Sequence, residues 1–424
     1  MSVLILTKRM DLPDSHTLAV YKQHNGYQAL TRAIKEIPPE QIIDEVKKAK
    51  LNGRGGAGFP AGVKWGFVPK DAIKPKYLCV NADEGEPGTF KDRLIMEKDP
   101  HLLIEGIILT CFAIGIHHAY IYVRGEFVFP TKRVQDALNE AYEAGFLGKN
   151  ILGSGFDLDV TVHLGAGAYI CGEETALIES LEGHQGKPRL KPPFPAVVGL
   201  FQGPTVVNNV ETIANIPAII EHGGEWFAGL GSADNGGTKL YGVSGHVKKP
   251  GIYELPMGTS LREIIEVHCQ GVVSGKKLKA VIPGGSSTPV LKADEIDVAM
   301  DFASLQKVGT MLGSAGVIVI AEGTCMVWAL AKLTKFYAHE SCGQCTPCRE
   351  GTGWVNKIVH RIEAGNGQPG DLELIEHITT NMTGTTICPL AEAMVMPVQG
   401  FLKKFRPEFE EHIEQQCCPY QEKA

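Results

Sequence analysis

Four cysteines constrain this chain more than any other feature. Cys342, Cys345 and Cys348 stand in "HESCGQCTPCREG" with the spacing C-x2-C-x2-C, and Cys388 follows in "TTICPLAEA". Thiolates three residues apart can wrap one face of an iron–sulfur cubane while a distant fourth closes the cage. The C-terminal segment must then fold back on itself to bring Cys388 to the other three. Buried, unliganded cysteines are the plainer alternative, but three within seven residues argue against it. Structural zinc usually pairs one C-x2-C with another, or with histidines. Here the third cysteine follows at once, and Pro389 echoes the Cys-Pro step of ferredoxin runs, so the spacing favours a [4Fe–4S] cluster and electron transfer. His339, just before the run, reads as a packed or surface histidine, with a hydrogen bond to the cluster as the sharper alternative.

The chain holds eleven cysteines, an odd number, mostly single. That is no secreted disulfide framework and fits a reducing compartment. Cys79, Cys111, Cys171, Cys269 and Cys325 read as packing residues, and the vicinal pair Cys417–Cys418 has no functional account. A net charge of -7 does not favour a nucleic-acid partner. No apolar run reaches the roughly 18 residues of a spanning helix, and no signal peptide is expected.

With 424 residues, roughly two to four domains are expected. Apolar positions three and four apart predict helices in the first fifty residues, at His101–Ile116 and at Thr131–Ala144. Runs at Tyr77–Val80, "AYIYVRGEF" and "LDVTVHLG" predict strands. This alternation predicts an α/β layered domain to about residue 230, followed by a linker at "SADNGGTKL". "KLYGVSGHV", "GIYELP" and "LKAVIPGG" predict strands around one helix, Ser260–Cys269, in a small α+β module. Helical patterns then dominate to the C-terminus. The expected boundaries are 1–235, 236–325 and 326–424.

Four glycine-rich or polar segments are candidate ligand loops. "NGRGGAGFPAGVKWGF" (52–67) offers bare amides with Arg54 and Lys64, which suits a phosphate, and Phe59, Trp65 and Phe67 could stack on a base. A tight turn with its aromatics in the core reads about as well. It is neither a Rossmann fingerprint nor a P-loop. "GAGAYICGEETALIESLEG" (165–183) leads into a helix near Glu173, where Glu173 and Glu174 either attend an anion site or simply complement the helix dipole. "NADEGEPGTFKDR" gathers Asp83, Glu84 and Glu86, able to grip ribose hydroxyls. A solvated turn is the plainer reading there. "TVVNNVETIAN" sets Asn208, Asn209 and Thr212 at a helix start, for capping or for phosphate or flavin contact.

Together with "RLKPPFP" and "CPLA", these motifs make the chain resemble the NADH-binding flavoprotein (the F subunit) of bacterial NADH:quinone oxidoreductase, respiratory complex I, from about residue 25 to 410. The resemblance implies a Rossmann-like FMN/NADH domain, a ubiquitin-like (β-grasp) module and a C-terminal helical bundle carrying the cluster. It implies that Gly53, Arg54, Gly55, Lys64, Asn81, Asp83, Tyr169, Gly172, Glu173, Asn208, Asn209 and Thr212 surround FMN. Gly56, Ala57, Gly58 and Glu84 join the cofactor-binding set. Phe59 and Phe67 would stack on the adenine of NAD(H), and Glu86, Glu174, Lys191 and Phe194 would meet its ribose and nicotinamide parts. Cys342, Cys345, Cys348 and Cys388 would hold the cluster.

The implied reaction is hydride transfer from NADH to flavin, then single-electron transfer to the cluster and on toward quinone. It needs stacking and orientation more than an acid or base, so no catalytic residue is assigned beyond Glu86 as a candidate. The implied partners are a small thioredoxin-like [2Fe–2S] subunit and the larger multi-cluster subunit. The expected location is cytoplasmic, peripheral on the inner face of the membrane through the complex. The alternative is the flavin subunit of a soluble NAD-linked formate dehydrogenase or hydrogenase. Non-enzyme and zinc-dehydrogenase readings predict, respectively, no flavin and no iron.

Overall fold

The computed structural model describes residues 3–420. Helices form at Leu18–Gln23, Gln28–Glu36 and Pro39–Lys48. The second buries Ala29, Leu30 and Ala33 and the third Ile42 and Val46, the inward stripes expected of amphipathic helices. They pack on helix Pro100–Ile114, which is apolar on every side and buried almost throughout. Its one carboxylate, Glu105, accepts from the Tyr27 N–H (2.9 Å), the Leu30 N–H (3.0 Å) and the Tyr21 hydroxyl. A buried acid without such donors would be costly.

The first sheet has four strands, β1 (Tyr77–Ala82), β2 (His118–Val123), β3 (Asp159–Leu164) and β4 (Thr205–Asn209), in the order β3-β2-β1-β4. Every neighbouring pair is parallel. The chain runs outward from β1 to β3 and then returns to the far side of β1. The order therefore reverses between β1 and β4, and in parallel sheets ligand crevices open beyond the carboxyl ends of strands at such a reversal.

The second sheet has five strands, β5 (Thr238–Gly245), β6 (Gly251–Pro256), β7 (Leu278–Ile282), β8 (Leu291–Lys292) and β9 (Gly316–Ala321). Their order is β6-β5-β9-β7-β8, with β5 and β9 parallel at the centre and the other pairs antiparallel. Four helices follow, Met326–Glu340, Thr346–Glu363, Asp371–Met382 and Leu390–Gln415. The last contains Pro397 and Pro407 and departs from helical geometry at Phe405 (φ -127°, ψ 20°). Pro407 supplies no amide to the ladder there. Among the described residues, no helix is long and apolar enough to cross a membrane.

The molecule is thus a mixed α/β protein with a parallel sheet, a second mixed sheet and a helical end. Three expectations need correction. The segment 232–240 is no free linker. Thr238–Leu240 already lies in β5, and Asn235 is buried. Ser260–Cys269 is not one α-helix, for Leu261–Glu263 passes into a π turn at Ile264–His268. Strands β4 and β9 stand where the sequence suggests a helix start and nothing at all.

Candidate functional site

Strands β1 and β4 end at Asn81–Ala82 and Asn208–Asn209, which pair in register. The four candidate segments meet beyond these ends. The Asn81 amide donates to the Gly172 carbonyl (2.8 Å), and its own oxygen accepts from the Asp83 N–H (3.0 Å). The loop 53–62 closes on itself through the Gly53 N–H to the Phe59 carbonyl (2.9 Å) and the Asn52 side chain to Gly58 (3.0 Å). It is fastened to the helix after β4 by the Arg54 N–H donating to Thr212 Oγ1 (2.8 Å). A Cβ at Gly55 would come within 3.1 Å of the Asn209 Cβ, so any larger residue would push the loop and Asn209 apart by a few tenths of an ångström.

Arg54 is wholly buried. Its Nη2 donates to the Gly236 (2.7 Å) and Thr238 (3.2 Å) carbonyls, while Nε and Nη1 have no partner. Asp83 Oδ2 is likewise buried and unpartnered, and burial pushes its carboxyl up to about 7 against the pull of Arg124. Buried donors and acceptors without partners are rare in native proteins. The Asp83 oxygen, beyond the end of β1, fits a polar ligand in the crevice, whereas the Arg54 guanidinium is turned toward the start of β5 and Glu211.

Carboxylates and cations interlock along the rim. Lys64 donates to Glu174 (2.9 Å) and to the Val207 carbonyl (3.0 Å), and Lys191 reaches Glu174 (2.7 Å) and Glu173 (3.0 Å). Burial would raise the Glu174 carboxyl, but Lys64 and Lys191 outweigh it and hold the group below its ordinary range. Glu173 caps helix Glu174–Leu181, accepting from Thr175 and Ala176. The Tyr169 hydroxyl donates to Glu86 (2.6 Å), which also accepts from the Ser287 N–H (2.7 Å), and Phe59, Phe67 and Phe194 are exposed. The Phe59 and Phe67 rings lie 6.0 Å apart and are open to a planar partner.

Some predicted residues are placed otherwise. Trp65 is buried and its indole donates to Asn208 Oδ1 (2.8 Å), so it cannot stack on a base. The Glu84 carboxylate is engaged by the Asp92 and Arg93 amides (2.8 and 3.1 Å) at the start of helix Asp92–Lys98, a cap rather than a ribose grip. A Cβ on Gly58 (φ +70°) would meet Phe302 at 2.4 Å, so this glycine serves packing on helix Phe302–Lys307. Gly56 faces the same way, and Ala57 is exposed. Asn209 does cap its helix, accepting from Glu211 (3.0 Å), and is held by Asp92 (2.7 Å) and Lys91 (3.2 Å).

Beneath the crevice lies a buried charge network that sequence reasoning misses. Glu211 is paired with Lys91 (2.8 Å) and Lys239 (2.6 Å). Burial would raise its carboxyl, but Lys239, Lys91 and Arg54 hold it down at about 2. Arg124 at the end of β2 escapes the same reasoning. It donates to the Glu84 carbonyl (2.6 Å) beside Asp83.

Cys342, Cys345, Cys348 and Cys388 gather in one core with Ile170, Cys171 and Leu177, so they pack against the turn Tyr169–Gly172 of the crevice. Burial pushes the Cys348 and Cys388 thiols up to about 11 and about 12. Among the described residues, the ligand-atom trios mutually within 4.8 Å lie elsewhere. No three of the four sulfurs are therefore mutually within 4.8 Å, whereas a single tetrahedral zinc would draw them closer than that.

Models of three families match the chain, the Nuo51 FMN-binding domain over residues 46–218, the SLBB domain over 239–319 and the NADH-ubiquinone oxidoreductase-F iron-sulfur binding region over 328–412. The F 2 subunit of NADH-quinone oxidoreductase in Rhizobium meliloti is 56% identical over 98% of this chain and 99% of its own length. The F subunit of the Streptomyces coelicolor enzyme is 51% identical over 98% and 92%. A chain of an NAD+-reducing [NiFe]-hydrogenase in the H2-reduced state superposes with a TM-score of 0.84 at 34% identity, over 99% of this chain and 67% of that one. With relatives this similar along almost the whole length, the chain belongs to the family of NADH-quinone oxidoreductase F subunits.

Proposed function

We propose that this chain oxidises NADH at an FMN held beyond the ends of β1 and β4 and passes the electrons singly to a [4Fe–4S] cluster on Cys342, Cys345, Cys348 and Cys388. The observation that carries this reading is the unpartnered Asp83 oxygen in a glycine-lined crevice whose wall, Tyr169–Gly172, shares a core with the four cysteines. FMN, when bound, accepts two electrons as a hydride and releases them one at a time.

The chain's own residues bind, orient and shield. Gly53 and Gly55 let the loop lie close beside the flavin and its phosphate, Arg54 anchors that loop to the start of β5, and Asn81, Asn208, Asn209 and Thr212 hold the loops in register. Lys64 balances Glu174 beside the crevice. Phe59 and Phe67 offer a stacking face to adenine, while Glu86, Glu174, Lys191 and Phe194 line the approach for the ribose and nicotinamide. No proton needs to move on a side chain, so Glu86 acts by position, tied to Tyr169 and Ser287.

The strand order of the first sheet supports a Rossmann-like half, and the mixed sheet with parallel centre supports a ubiquitin-like module. Boundaries near 235 and 325 are supported by the chain order of the elements, since the first sheet ends at Asn209, the second spans Thr238–Ala321 and the closing helices begin at Met326. As a subunit of a multi-subunit oxidoreductase, the chain would hand its electrons to a thioredoxin-like [2Fe–2S] subunit and a larger multi-cluster subunit, at the cytoplasmic face of the membrane and on toward quinone. Relatives above 50% identity favour this assembly over the hydrogenase alternative.

The test is a preparation made without oxygen and assayed for flavin, iron and sulfide. It should contain about one FMN and about four irons per chain and reduce ferricyanide with NADH. Cys345→Ser should lose the cluster signal and keep flavin reduction by NADH. A colourless wild type, or an unchanged cluster spectrum in the variant, refutes the assignment.

A further inference from the structure

Outside the four-cysteine centre, two sets of metal-ligating side chains converge among the described residues; Glu179, Glu182 and His184 are already paired among themselves and with Arg189, and the other set is largely buried. Cys325 precedes helix Met326–Glu340, His412 lies near the end of helix Leu390–Gln415, and Cys418 follows beyond that helix. Their three donor atoms all lie within 4.8 Å of one another. Cys325 Sγ and His412 Nε2 are 3.3 Å apart. Ordinary Zn–S and Zn–N bonds in a tetrahedron set sulfur and nitrogen about 3.5 Å apart, and two sulfurs about 3.8 Å apart. The Cys325–His412 pair therefore already has nearly the spacing an ion demands, and Cys418 lies within a small adjustment of it.

The surroundings suit that role. His412 Nδ1 lies 2.6 Å from the Glu408 carbonyl one turn earlier, which holds the proton on Nδ1 and turns the Nε2 lone pair to Cys325. The Trp328 N–H points at Cys325 Sγ (3.3 Å), so a helix N-terminus favours the thiolate. Burial works the other way and pushes the Cys325 thiol up to about 12, so an arriving ion displaces a proton. Tyr420 stacks on the His412 ring with centroids 6.1 Å apart. Glu408 is engaged by Lys279 (2.6 Å) and the Met326 N–H (3.1 Å), so it supplies no fourth ligand. The trio is also remote from the four-cysteine centre. It sits at the start of the 15-residue helix Met326–Glu340, and Cys342 follows its end, a span of about 22 Å at 1.5 Å per residue.

We propose that Cys325, His412 and Cys418 form a divalent-cation site of the zinc class, a Cys2His set with water in the fourth position, which pins the chain's tail to the start of helix Met326–Glu340. On binding, two S–H bonds release two protons to solvent and two metal–sulfur bonds form. The two thiolates balance the ion's charge and the imidazole stays neutral. Nothing is oxidised or reduced.

The test uses the full chain with its flavin and cluster, isolated without oxygen, given equimolar zinc and gel-filtered. Zinc and iron are measured separately. About one zinc should remain per chain, with iron unchanged. Cys418→Ser should retain about tenfold less, while Cys417→Ser, altered at the exposed neighbour, should keep the metal. Cobalt loading is a second reading, with tetrahedral visible bands in the wild type that Cys418→Ser lacks. Equal zinc retention in the wild type and Cys418→Ser overturns the proposal. So does an alkylated chain whose mass shows Cys325 and Cys418 joined as a disulfide.

Discussion

At the scale of single residues, Asp83 and Lys64 make the sharpest predictions. Burial lifts the Asp83 carboxyl from 3.8 to about 7. The folded chain then binds that proton more tightly than the unfolded one, so stability falls as pH rises from about 4 to about 7 and is level above. Asp83→Asn should shrink this slope and stabilise the flavin-free protein at pH 8 by on the order of 2 kcal/mol. Glu84, also raised by burial, keeps its own part of the slope. Urea midpoints measured against pH decide the matter, and an unchanged slope rejects it. Lys64→Ala leaves Glu174 with Lys191 alone, so flavin retention should drop about tenfold while stability moves by less than about 1 kcal/mol. Dialysis followed by flavin fluorescence reads the first effect. The cysteines are legible in the sequence because their spacing is itself the chemistry. Trp65 misleads because proximity to Phe59 and Phe67 in the chain says nothing of Asn208, which draws its indole inward.

At the scale of elements, the sequence shows what is periodic or bounded by turns and hides what is short or fully buried. The helices Gln28–Glu36 and Pro39–Lys48 are legible from one apolar stripe each. Strand β4 is not, since its five residues end in two asparagines that read as a cap, and Asn209 does serve as one. Strand β9, buried at the centre of its sheet, carries no alternation to mark it. The network around Glu211 escapes notice because its lysines lie far away in sequence, yet it should govern the stability of the short helix Val210–Ala214. Glu211→Gln leaves Lys91 and Lys239 without their shared partner and should cost about 3 kcal/mol. Denaturant unfolding followed by tryptophan fluorescence would register this, and a loss below about 1 kcal/mol would contradict it.

At the scale of the whole molecule, the three parts are sewn together by a few polar groups. Glu254 in β6 accepts from the Ile5, Leu6 and Thr7 amides (2.8 to 3.1 Å), drawing the chain's beginning across the second sheet. Glu254→Ala should free that segment, so protease cleavage among the first ten residues should speed up about tenfold with flavin content unchanged. Cleavage at the wild-type rate would show that apolar packing of Ile5 and Leu6 suffices. Arg54 stitches in the other direction, from the flavin loop to backbone carbonyls at Gly236 and Thr238. A fragment cut before Gly236 would deprive its guanidinium of both carbonyl acceptors and leave it only the attraction of Glu211, so a crevice excised there should fold less stably than the whole chain.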